Sequence, residues 1–416
     1  MNREMKRILN INYAGIQGAY WMCFGVISTF ASVLLLDRGY SNADIGMIFA
    51  VGNVAAVILQ PIMADIADRS KRTSLFGVLQ IATFFLILFT LASFILQRKS
   101  FALTAVYIML LGWVVALQPL LNSLAFKLEE SGVHINFGIA RSVGSLAYSI
   151  ICGVLGTVIE AKGIEILPLT NGTLLIFMFV GLSLASYHLK KTKDTMRQGQ
   201  CEKEELRNRQ VDCKRQECLE EPINLTAFVR RNRMFCLMTI GVVGVFFANA
   251  TLNNFMLQII MPLGGDSEDM GRIFALLAFL EVPMLCFFDQ INRRFSCQTL
   301  LKIASVTYVI KISVTWMAGS VEVVMLSQLL QLTSFALFLP AMVKFIDGIM
   351  SKGEAVKGQA LYTTMSTVSS VLSSLVGGLL LDVSGAKFLL MVATISTAVG
   401  AAIIFLTIDQ IQKNEN

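Results

Sequence analysis

Again and again along this chain, about twenty residues pass with too little charge to be held in water, and no other feature restricts the fold as much. Twelve such runs can be drawn, near residues 9–36, 43–64, 73–96, 101–126, 137–159, 167–189, 233–260, 269–289, 297–318, 321–345, 357–381 and 386–408. A helix needs about 20 apolar residues to cross the hydrocarbon of a bilayer, so each run reads as one transmembrane helix. Alternating strand patterns are absent, which excludes a membrane β-barrel. Composition agrees: of 416 residues 55% are hydrophobic and 15% charged, with mean hydropathy +0.67, whereas soluble domains carry about 25% charged residues. The expected fold class is an all-α membrane protein with twelve transmembrane helices.

Lys and Arg orient such a chain, because they stay on the cytoplasmic side. With the N-terminus inside, the inner connections hold 24 of the 34 basic residues and the outer ones six. Both termini are therefore expected in the cytoplasm, with the protein in the cell (inner) membrane. The net charge of +6 then reports topology, and no nucleic-acid partner is expected. The first run is too long for the core of a cleaved signal peptide and reads as a retained span. Cys201, Cys213 and Cys218 lie in a charged stretch without CxxC spacing or a nearby histidine, so neither zinc, disulfide nor cofactor is expected.

Between the sixth and seventh runs lies one long polar segment, Lys190 to Arg233, with twelve basic and eight acidic residues. It divides the chain into an N-terminal six-helix bundle at 1–189, a charged cytoplasmic linker at 190–232 and a C-terminal six-helix bundle at 233–416. The two parts echo one another. Asp68-Arg69-Ser70-Lys71-Arg72 follows the second run, and Asp289 with Arg293-Arg294 follows the eighth. Ser145, Ser149 and Gly153 recur every four residues in the fifth run, as do Ser366, Ser370, Ser374 and Gly378 in the eleventh. Small residues at that spacing let two helix backbones approach closely. Twelve spans in two parallel repeats around a central linker are the layout of a secondary transporter.

A charge kept near the bilayer centre costs at least about 2.5 to 3.5 kcal/mol, so it needs a partner or a task. Glu281 lies at least about 12 Å from either end of its run at 1.5 Å per residue, and Lys311 is similarly deep. Two readings of Glu281 stay open. It forms a buried ion pair with Lys311, or it carries a proton, as a carboxylate can when its cationic partner comes and goes between two conformations. Arg141, a turn inside the fifth run, either faces inward or snorkels to the inner headgroups. Asn12, Gln17, Tyr20, Asn249, Asn253, Asn254 and Gln258 either line a wet cavity or join helices. There is no GxxxxGK, HExxH or GxSxG motif, and His134 and His188, the two histidines, lie near membrane ends, so no enzyme or ATP-driven pump is expected. A channel would show a ring of like charges, which is not visible.

The segment from Asp65 to Arg72 resembles the inner-loop motif of the major facilitator superfamily, with Ala64 and Lys71 where glycines are usual. More closely, the chain is similar to the lactose permease group of oligosaccharide and proton symporters. The residues that carry this are Gly46-Met47-Ile48-Phe49-Ala50, Gln60-Pro61 and Asp68, then Phe137-Gly138-Ile139-Ala140-Arg141 with Gly144 and Tyr148. The second half adds Glu281-Val282-Pro283, Lys311, Gln328, Gln331 and Lys344-Phe345-Ile346. The resemblance implies two pseudo-symmetric six-helix bundles, with Arg141 gripping solute hydroxyls and Tyr148 stacking where the group has tryptophan. It departs from the group in three places. Asn122 or Ser123 stands for a fourth-span carboxylate, Gln331 and Ser334 stand for a histidine and a proton-carrying glutamate, and Lys311 stands for an arginine.

The expected function is proton-coupled symport of a small neutral polar solute, a sugar or a nucleoside, by alternating access. An exporter of drugs or metabolites, which 20 Met and 28 Phe would suit, and a non-transporting sensor are the alternatives, and sodium could replace the proton. Arg141, Tyr148, Lys311 and Gln331 are the expected solute-binding residues and Glu281 the proton carrier. Asp68, Arg69 and Arg72 are expected to latch cytoplasmic helix ends. The expected partners are the solute, the proton and the bilayer, with no obligate protein partner.

Overall fold

The computed structural model describes residues 3–69, 75–130, 137–201 and 225–413. Nearly all of them are helical, and no strand occurs among the described residues. The latch expected at Asp68, Arg69 and Arg72 lies outside the described side chains.

The first span is bent: Arg3–Phe24 continues through a π-helical stretch, Gly25–Thr29, into Ala31–Asp37. The second to sixth spans are Asn42–Arg69, Leu75–Ile95, Phe101–Glu130, Phe137–Lys162 and Ile166–Cys201. The apolar span of the sixth helix ends at Leu189, close to the expected 167–189, while the helix itself continues to Cys201; a further short helix, Leu225–Arg231, precedes the seventh span, so part of the expected linker is helical. The seventh to ninth spans are Arg233–Ile260, Ser267–Asn292 and Cys297–Met317.

The last helix, Lys352–Lys413, has 62 residues. At 1.5 Å per residue it would be roughly 93 Å long, about three times the hydrocarbon core. Gly385 resolves this. Its φ of 77° and ψ of 177° belong to a region essentially reserved for glycine, and the break there separates 352–384 from 386–413. These arms are the eleventh and twelfth spans. By length and composition alone the described helices supply nine candidates, or 11 with the bent pairs counted as one each, and dividing the long helix brings the total to the expected number.

The tenth span departs from the uninterrupted run expected at 321–345. It is Val321–Ser327, a 3-10 stretch Gln328–Leu332, and Phe335–Ile349. Polar side chains compete here for the backbone carbonyls. Ser327 Oγ donates to the Val324 carbonyl at 2.6 Å and Gln328 Nε2 to the same oxygen at 3.2 Å. Ser334, at φ −97° and ψ −96°, ends the irregular stretch.

The two small-residue stripes become seams between the N-terminal and C-terminal spans. The fifth span packs on the eighth and the second on the eleventh. A Cβ at Gly46 would fall 2.1 Å from the Ser374 carbonyl oxygen, and one at Gly156 would fall 2.5 Å from that of Ser267, so the backbones touch. Large apolar side chains point outward instead, with Ile95 68%, Phe177 62% and Leu406 69% exposed. Such a surface would be intolerable in water and matches the acyl chains of a bilayer.

Candidate functional site

A cavity of about 570 Å³ lies between the two seams. Its wall is drawn from the first, second, fourth and fifth spans on one side and the seventh, eighth, tenth and eleventh on the other. The charged side chains on this wall are Arg141 and Glu281, one from each side.

Arg141 is held rather than free to snorkel. Its guanidinium carbon lies 4.0 Å from the centroid of the Trp21 ring, and Nη1 donates to Ser145 Oγ at 3.0 Å, one turn along the same stripe. The cation sits against the negative face of the indole, a contact worth about 0.5 to 2 kcal/mol according to its desolvation. Gly144 makes room for the ring, since a Cβ there would meet Trp21 Cδ1 at 2.5 Å. Sequence reasoning did not single out Trp21, because an aromatic residue in an apolar run carries no mark that separates a wall from a core.

Tyr148 also reaches the wall, beside Arg141. Its hydroxyl shares a hydrogen bond with Thr29 Oγ1 at 2.7 Å, so the phenol is tied to the π-helical stretch of the first span.

Glu281 and Lys311 do not meet directly. Lys311 Nζ donates to Gln331 Oε1 at 2.6 Å, and Gln331 Nε2 donates to Glu281 Oε1 at 3.4 Å, so a carboxamide stands between the two charges. The direct pair weighed from sequence is replaced by a relay, because the irregular tenth span brings Gln331 into the gap. Gln331 and Glu281 line the cavity, whereas Lys311, 2% exposed, stands behind Gln331 and off the wall. In this structure Lys311 therefore meets the cavity only through the Gln331 carboxamide. Nearby in sequence, Gln328 Oε1 and Ser334 Oγ are buried without a hydrogen-bond partner, as are both amide atoms of Gln258 and the Tyr308 hydroxyl. Orphans of this kind call for water or a change of state to complete their bonding.

The other polar candidates divide by span. Asn249, Asn253 and Asn254 of the seventh span are on the wall. In the first span Gln17 Nε2 donates to Tyr13 Oη at 2.8 Å and to Asn122 Oδ1 at 3.4 Å, and Tyr20 Oη donates to the Val114 carbonyl at 2.9 Å. Those bonds join the first helix to itself and to the fourth. Asn12 is likewise away from the wall, its Oδ1 being 3.4 Å from where a Cβ on Gly181 of the sixth span would lie. Of the two residues expected at the place of the lactose permease group's fourth-span carboxylate, Asn122 partners Gln17 and Ser123 Oγ donates to the Leu120 carbonyl at 2.9 Å, so neither pairs with Arg141.

Helical passes packed along two backbone seams, with a cavity between them that holds one cation and one anion, define a multi-pass membrane transporter of the major facilitator fold. The chain belongs to the MFS_1 like family, which matches residues 13–392. It is 19% identical over 363 residues to the uncharacterized transporter YwbF of Bacillus subtilis (strain 168), covering 85% of this chain and 82% of that one. Among solved structures, a point mutant of the nucleoside transporter NupG superposes with TM-score 0.71 at 15% identity, over 96% of this chain and 99% of that one. A bacterial homolog of the human lysosomal transporter Spinster, in an inward-facing and unoccupied conformation, gives 0.65 at 15% identity and covers 99% of each. At such identities the structural likeness speaks for the fold alone.

Proposed function

We propose that the protein is a proton-coupled symporter of a small neutral polar solute, a nucleoside or a sugar, in which 1–189 and 233–416 move as two bodies joined by 190–232. The observation that carries this reading is the wall of the cavity, where Arg141 faces in from one side and Glu281 from the other. Opposite charges of equal number favour a solute without net charge. Asn53, Gln118, Asn249, Asn253, Asn254 and Gln331 add carboxamides to the same wall, each with a donor and an acceptor side by side, which suits hydroxyl pairs and the edges of bases. The ring of Tyr148 and the Trp21–Arg141 pair supply aromatic faces for a base or the apolar side of a sugar. NupG is a nucleoside transporter by name, and the shared fold supports placing a nucleoside in the first set of probes.

Glu281 is assigned the proton. Its cationic neighbours are Arg141, across the cavity, and Lys311, through Gln331, so parting the two bodies removes one of them while the carboxylate stays on its helix. Uptake of radiolabelled uridine, adenosine and lactose into proteoliposomes, with and without an imposed pH gradient, tests the reading. The expected result is accumulation of at least one probe that rises with inward-directed acidity. Glu281→Gln should keep equilibrium exchange and lose uphill accumulation. Accumulation indifferent to pH overturns the proton assignment, and loss of exchange as well as accumulation returns Glu281 to a structural role.

A further inference from the structure

Two carboxylates at one end of the cavity take no part in the reading above. Glu160, near the end of the fifth span, accepts from Ser267 N at 3.3 Å, and Ser267 is the first residue of the eighth helix. Asp382, near the end of the eleventh span, receives three bonds from the start of the second helix: Asn42 N and Nδ2 donate to Oδ1 at 3.1 and 2.8 Å, and Ala43 N to Oδ2 at 2.8 Å.

The first amides of a helix have no partner within it, and a carboxylate placed there gains both their hydrogen bonds and the favourable end of the helix dipole. Each of these helices finishes the rest of its first turn locally. Ser41 Oγ accepts from Asp44 N at 3.2 Å, and Asp266 Oδ1 accepts from Glu268 N at 2.9 Å and Asp269 N at 3.0 Å. The remaining amides are completed from across a seam. In the duplicated layout the fifth span corresponds to the eleventh and the eighth to the second, so Glu160 and Asp382 do the same work in the two repeats.

Behind both carboxylates the backbones already touch. A Cβ at Gly378 would lie 2.4 Å from the Asn42 carbonyl oxygen, and one at Gly271 would lie 2.4 Å from that of Cys152. No solute passes such a seam while these contacts hold, and parting it breaks the carboxylate bonds first because they lie at its rim. The distribution of basic residues puts this rim outside the cell.

We propose that Glu160 and Asp382 are a matched pair of gate latches, each holding one seam shut by capping a helix of the other six spans, and that both release when the cavity opens at this end. The freed amides and carboxylates pass to water, so each latch contributes only a difference in hydrogen bonding and can let go in every cycle. Asp382, with three bonds, is the stronger of the two.

A cysteine on the cavity wall reports opening without any solute. Ala250→Cys is labelled with a membrane-impermeant maleimide, in intact cells and in inverted vesicles, and the modification is followed by mass spectrometry at that residue. From the rim side, Asp382→Ala should speed labelling about fivefold and Glu160→Ala about twofold, within the range set by loss of a helix cap. The double variant should show about the product, roughly tenfold, since the sites do not touch. Asp266→Ala, which removes a cap supplied within the same six spans, should leave the rate unchanged. If the alanine variants fail to fold, Asp382→Asn and Glu160→Gln carry the test, with smaller accelerations expected. An unchanged rate in the double variant overturns the latches, and so does equal acceleration from both faces, which marks a loosened protein. Acceleration confined to inverted vesicles supports the latches and reverses the topology.

Discussion

Arg141 shows how much a single charged residue owes to its neighbours. Burial within the bilayer is costly for a cation, and here the cost is offset by the face of Trp21 and the hydroxyl of Ser145. Replacing the indole tests this. Trp21→Ala should weaken solute affinity about 2- to 30-fold, the range of a cation–π contact, while Trp21→Phe should keep most of it. The measurement is KM against maximal rate in uptake, and an unchanged KM in Trp21→Ala would sink the assignment. Arg141→Lys keeps the charge but loses the planar fork, and should behave like the alanine variant of Trp21. Gln331 offers a second residue-scale test. Gln331→Leu leaves Lys311 without the acceptor it has in the relay, and should lower stability by about 1 to 3 kcal/mol. Adding Lys311→Met should restore part of that loss, because removing both partners costs less than stranding one. Thermal unfolding in detergent reads both, and equal melting temperatures in the single and double variants would show that the relay carries no energy.

Single helices in this protein are shaped by where they are broken. The tenth span unwinds where Ser327 and Gln328 both bond the Val324 carbonyl, and the unwound stretch positions the Gln331 carboxamide between Glu281 and Lys311. The last long helix is divided at Gly385 by a backbone conformation that side chains disfavour. Gly385→Ala should therefore destabilise by about 1 to 3 kcal/mol. The lower melting temperature should come without any change in KM, since the residue lies far along the chain from every wall residue of the eleventh span. A variant as stable as the parent would mean that the turn between the last two spans tolerates a different backbone.

At the scale of the whole molecule, orientation in the membrane and motion of two bodies are the linked expectations. If both termini are inside, residues 202–224 are inside too. A protease site inserted in that segment should be cut in inverted vesicles and protected in intact cells, and the opposite pattern would reverse every inside and outside assignment made here. If the two bodies alternate as proposed, the seams of the fifth with the eighth span and the second with the eleventh are what that motion has to part.

Much of this architecture is written in local quantities. Run length, the placement of Lys and Arg and the four-residue recurrence of small side chains depend on neighbours along the chain. The twelve passes, the close approach at Ser149 and Gly153 and at Ser370, Ser374 and Gly378, and the depth of Glu281 could for that reason be read before any coordinates, whereas the candidacy of Arg141, Tyr148 and Gln331 for solute came from the resemblance to the lactose permease group. Which of the polar groups share a wall could not. Trp21 under Arg141, Gln331 between Glu281 and Lys311, and Asp382 on the first turn of the second helix are meetings across the bundle, each set by the rotation and bend of two helices. A side chain's partner is fixed by distances in space, and those exist only once the helices have packed.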